Sequence, residues 1–155
     1  MRQPSILRPV ITAGLTAGTL DIVGASLQYY IKTGKGPGNM LRFIASGVFG
    51  TKAFSGGAEM AGLGLLFHYI ITFLFTIFFF WLYPRTGILQ KNAILTGLLY
   101  GRFIWAVMNL VVFPLSSAPV IPFVLKKAVI AMLIFMCCAG LPIALIADKY
   151  YLYKK

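Results

Sequence analysis

Between Ala61 and Tyr83 the chain reads AGLGLLFHYIITFLFTIFFFWLY, 23 residues without an Asp, Glu, Lys or Arg. Neither a helical nor a strand period sets a polar face apart in it. A helix of this length, at about 1.5 Å per residue, reaches roughly 34 Å, enough to cross a hydrocarbon core of about 30 Å. A soluble domain of this size has no place to bury a helix that is apolar all round. Three more long apolar runs flank this one, so the pattern predicts four membrane spans, over about 10–31, 58–83, 93–113 and 124–147.

The breaks between the runs are as informative. Gly34, Gly36, Pro37 and Gly38 cannot continue a helix. A run over about 39–50 follows, interrupted by Arg42 and too short to span. The preferred reading is a short interfacial helix with Phe43, Ile44, Val48 and Phe49 in lipid; a re-entrant dip, which the glycines permit, is the alternative. Pro84 ends the second span, and the polar stretch Arg85 to Asn92 is short enough to make spans two and three an antiparallel hairpin. Three prolines between Pro114 and Phe123 predict a stiff, extended turn. Pro142 is placed to kink the last span, and Asp148 to Lys155 reads as a tail of Tyr and Lys suited to a headgroup anchor. The fold class is therefore all-α: one integral membrane bundle of four transmembrane helices, with a short helix between spans one and two.

Composition narrows the partners. Charged residues make up 11% of the chain, against about 25% in soluble domains. Mean hydropathy is +0.87, and four spans in 155 residues leave almost none for a second, soluble fold. The net charge of +11 would suggest nucleic acid in a soluble protein. Here the cations mostly flank apolar runs, so anionic lipid headgroups are the simpler counter-charge and nucleic acid is not expected. Arg2 and Arg8 precede an apolar run as in a signal peptide, but Asp21 stands at the centre of that run and no small-residue cleavage site ends it. Lys and Arg number seven on the side of the termini and six on the other, a small difference. Both termini are assigned to the cytoplasm, because Lys126 and Lys127 can snorkel and Arg42 sits on the interfacial segment.

Small residues recur at helical spacing. Gly14 and Gly18, with Asp21 and Ala25, predict one continuous face on span one, and Gly97 and Gly101 repeat the device on span three. Such pairs let helices approach closely, either within the subunit or across a homodimer seam. Self-association is part of this reading, since four short spans rarely enclose a pore alone.

Three ionisable side chains fall at depth: Asp21, His68 and Arg102. A charge there costs about 2.5–3.5 kcal/mol, and such groups usually turn inward and pair. The economical expectation is one cluster in which Asp21 accepts from Arg102, with His68 near and Asn109 two turns beyond Arg102 on the same face. That cluster is either a salt bridge locking the bundle or a polar pathway responsive to protons. Glu59 stands at the mouth of span two, within sequence reach of Lys52 or Arg42. A single His and two adjacent Cys supply no metal-ligand set, and no phosphate-cradling motif is present, so neither a metal nor a cofactor is expected. Ser46 has a base only if the first connection dips far enough to meet His68; enzymatic chemistry is not expected. The functions left are movement or sensing of a small solute or proton, or a structural role as the assembly partner of another membrane protein.

The segments AGLTAGTLD, IASGVFGTKAFSGGAEMAGLGLLFHYII and GLLYGRFIWAVMNLVVFPLS together resemble a group of small bacterial four-span inner-membrane proteins, and more remotely the YagU-like family. The resemblance runs from about Gly14 to Pro119. Gly18, Asp21, Ser46–Gly47, Phe54–Gly57, Gly64, His68, Gly97 and Pro114 carry it. It implies a bacterial inner-membrane location and no particular activity.

Overall fold

A computed structural model describes residues 5–120, 122 and 124–152. The described residues form helices and turns, with no strand. Five helices follow in order: α1 (Leu7–Thr33), α2 (Gly38–Phe49), α3 (Gly57–Arg85), α4 (Ala93–Leu115) and α5 (Leu125–Leu152). All but α2 are long and apolar enough to cross a membrane. The chain is a small polytopic membrane protein.

The helix ends follow from local chemistry. Gly34 closes α1 at φ 66°, a left-handed cap whose N–H returns to Tyr30 O at 2.8 Å; glycine reaches that conformation without steric cost. Asn92 opens α4 by accepting from Leu95 N at 3.0 Å. α3 tightens into a last 3-10 turn, Tyr83–Arg85, around Pro84.

Two of the spans contain a widened turn, and in each a proline accounts for it. In α4 the turn Met108–Val112 is a π turn, and Phe113 N–H reaches back five residues to Met108 O. In α5 the turn Phe135–Gly140 is likewise π, and Leu141 N–H reaches Met136 O. Pro114 and Pro142 follow one residue later. Neither has an N–H to donate, and each ring crowds the carbonyl four residues back, so the helix widens before it. In an unwidened helix Phe113 and Leu141 would donate instead to the carbonyls four residues back, those of Asn109 and Cys137. The kink expected at Pro142 takes this form, and α4 carries Pro114 inside its last turn instead of ending at Phe113.

α1 packs against α3 and α5, α4 packs against α5, and α2 lies along α3. α4 crosses α5 with backbone against backbone. A Cβ on Gly97 would lie 2.8 Å from Leu141 Cα, and one on Gly140 would run into Gly97 O and Gly101 N. α3 meets α4 through rings rather than through backbone: Phe79 and Tyr100 have centroids 4.5 Å apart, Phe78 and Phe103 6.3 Å. At the end of the bundle holding Tyr83, α5 is docked onto α3. Tyr83, fully buried, donates its hydroxyl to Asp148 Oδ1, and Tyr151 donates to Phe80 O at 2.8 Å. The segment from Asp148, expected as a headgroup-anchoring tail, is helix as far as Leu152, with Asp148 inside the bundle's hydrogen bonding.

α2 is held by protein on one face. Ala45 and Ser46 are buried, and Gly64 of α3 accepts the backbone of α2 so closely that a Cβ there would collide with Leu41 O. Ser117 N donates to Gly47 O at 2.9 Å, tying α2 to the loop after α4. Phe43, expected in lipid, is half-buried against Phe113 at 5.7 Å, while Val48 and Phe49 stay exposed.

Candidate functional site

Asp21 is buried on α1 with 7% of its surface exposed, and its Oδ1 is enclosed with no hydrogen-bond partner. Its surroundings come from α5. Gly24, one turn along, would put a Cβ 3.1 Å from Ile134 Cγ2 and 3.5 Å from Cys138 Sγ, and Cys138 lies within electrostatic reach of Asp21. The carboxyl thus sits beside the π turn of α5, next to the residue pair whose backbone the turn disturbs.

His68 approaches α1 from another side. Its Nε2 lies 2.8 Å from Gly18 O, a geometry in which the ring donates to the helix carbonyl. Tyr69 covers Gly18 and shares a hydrogen bond of 2.8 Å with Thr19 Oγ1. Thr72 and Thr76 each return a hydroxyl to the carbonyl four residues back, at 2.9 and 2.8 Å. The α1–α3 seam is polar and satisfied.

The expected four-residue cluster does not assemble. Arg102 is exposed on the outer side of α4, and no ion pair joins it to Asp21 among the described residues. The reason lies in α4: Gly97 and Gly101 must face α5, and Arg102, one position on, is carried about 100° away from that contact. Asn109 is exposed as well and donates to Trp105 O at 2.8 Å within its own helix. α1 is wedged between α3 and α5, presenting Gly18 to the first and Gly24 to the second, and His68 and Asp21 share no hydrogen bond among the described residues.

The small-residue pairs also divide. Of the face expected over Gly14, Gly18, Asp21 and Ala25, Gly14 and Gly18 lie beneath the rings of Phe73 and Tyr69 on α3, while Asp21 has Cys138 of α5 within electrostatic reach. Gly97 and Gly101, by contrast, meet backbone. Ser46 donates to Phe43 O at 2.6 Å and does not meet His68; Glu59 is exposed on the first turn of α3.

Among the described residues three further polar atoms are enclosed, of which only Gln28 had no place in the sequence reading. Gln28 Nε2, Arg42 Nε and Trp105 Nε1 are enclosed without partners. Arg42 Nη1 reaches Phe54 O at 3.4 Å beside an open hollow of about 390 Å³ lined by Tyr29, Asn39, Met40, Phe43 and Phe54. Gly140, the partner of Gly97 and Gly101, was legible only as one more small residue in CCAGLP. Among the described residues no group of His, Cys, Asp or Glu is placed to hold a metal. No family model, curated protein or solved structure matches this chain.

Proposed function

We propose that this protein moves or senses a proton or a small cation across a bilayer, with Asp21 as the group that exchanges it. One observation carries the reading: a carboxyl inside a membrane-spanning bundle holds an enclosed oxygen to which nothing donates. An unpaired polar atom in that setting costs stability and does no packing work that a leucine would not do better. The neighbouring π turn supports the same reading, because it shifts the Leu141 N–H from the α-helical partner to Met136 O in the helix Asp21 faces. His68, donating to Gly18 O, sets the α1–α3 contact that positions Asp21 and belongs to the same unit. The protein works in a bacterial inner membrane with both termini in the cytoplasm, as a self-associating, non-enzymatic bundle.

The test is proton flux into proteoliposomes followed with an entrapped pH dye across a range of pH. Wild type is expected to dissipate an imposed gradient, Asp21→Asn to lose most of that rate, and His68→Ala to shift its pH dependence. A wild type no faster than empty vesicles, or an Asp21→Asn variant as fast as wild type, would overturn the reading.

A second reading, that the protein is an assembly partner of another membrane protein, is favoured by the exposed Arg102.

A further inference from the structure

Arg102 is exposed although it stands well inside a span. It lies about 14 Å from the start of α4 and about 20 Å from its end, at about 1.5 Å per residue. Headgroup phosphates at either surface are farther than its side chain extends, so snorkelling does not bring it to one. It makes no hydrogen bond or ion pair with a described residue, and its neighbours on the outward face, Leu95 and Leu99, are each 55% exposed. Asn109 continues the same face two turns on, also exposed.

We infer that this outward face of α4 docks a membrane-spanning helix of a different protein, one that carries a carboxylate at the depth of Arg102. The chain's own acids exclude a second copy from that role. They are three: Asp21, Glu59 and Asp148. Asp21 is enclosed inside the bundle, and Asp148 is held by Tyr83. Glu59 is at the wrong height. Arg102 is level with Phe75 to Phe78, since Tyr100 OH donates to Phe75 O and Phe103 stacks on Phe78. Glu59, at least sixteen residues earlier on α3, is therefore displaced by about 24 Å along the helix. Copies inserted the same way about a shared axis keep their depths, so no second copy brings an acid to this guanidinium. Arg102 donates two parallel N–H···O hydrogen bonds from its forked guanidinium to that carboxylate, and Asn109 adds a polar contact that fixes register.

The probe is a synthetic polyleucine transmembrane peptide with one central Glu, compared with its all-Leu counterpart. Association with the fluorescently labelled full chain is followed by energy transfer in neutral phosphatidylcholine bicelles. The Glu peptide is expected to bind roughly tenfold more tightly than the Leu peptide, and that preference should vanish in both Arg102→Leu and Arg102→Gln while persisting in Arg102→Lys. Circular dichroism of each variant verifies that the helices are retained. Equal binding of the two peptides to wild type, a preference that survives both neutral variants, or Arg102-dependent self-association of the chain alone would overturn the proposal. Because Asp21 is untouched in these variants, the proton-flux result stands or falls separately.

Discussion

Asp21 and Arg102 have opposite charges, comparable depth and no contact, which sets the residue-scale expectations. If they formed an internal pair, removing either would strand the other and the double change would cost less than the sum. In the observed geometry the two sites are independent, so the double variant Asp21→Asn/Arg102→Gln should be additive within about 0.5 kcal/mol when unfolding is followed by detergent titration. A coupling above that range would restore the pair. The hydrogen bond from Tyr83 to Asp148 is a different case: its donor is buried and its acceptor is ionisable. Tyr83→Phe should lower stability by about 1.5–3 kcal/mol in the same titration, the range for hydrogen bonds to charged groups. An unchanged midpoint would show that the contact contributes nothing.

At the scale of the element, the glycines sort by what stands opposite them. Gly62 has open space where a Cβ would go, whereas Gly101 would drive one into Phe135 O and the backbone of Met136. Gly101→Ala and Gly140→Ala should each destabilise by about 1–3 kcal/mol through forced separation of α4 and α5. Gly62→Ala should fall within about 0.5 kcal/mol of wild type, or gain slightly from helix propensity. Parallel losses at all three positions would mean that close approach is not what these residues provide. The π turns obey the same local logic. They are set by proline one residue downstream, and Pro142→Ala should let Leu141 N–H return to an α-helical partner, read as slower amide hydrogen exchange at Leu141.

For the whole molecule, the solvent is lipid and the charge is lopsided. With fourteen Lys and Arg against three acids, most cations have no acid in the chain to pair with. Lys32 on α1 and Lys127 on α5 are near enough to repel. Anionic lipid at the surface would relieve that repulsion. Replacing about a fifth of neutral lipid with phosphatidylglycerol should raise the unfolding midpoint in bicelles, and salt near 0.5 M should remove most of the gain by shortening the screening length below about 10 Å. No response to lipid charge would count against headgroups as the counter-ions.

The four spans, the short fifth helix, their breaks at Gly34, Pro84 and Asn92, and the presence of ionisable side chains at depth were all legible from hydropathy and glycine–proline placement. Those signals are local: a segment's length, its apolar content and its turn residues act through the segment's own backbone and its transfer into lipid. Which side of each helix meets protein is not local. Arg102 points outward because Gly101, its neighbour, is claimed by Gly140 some forty residues away, and Asp21 lies beside Cys138 because α1 is gripped on two sides. The helical tail through Asp148 depended on a hydroxyl from α3, a partner 65 positions distant. Pairing across such separations is a choice among helix packings of similar apolar content, and only the assembled bundle makes it.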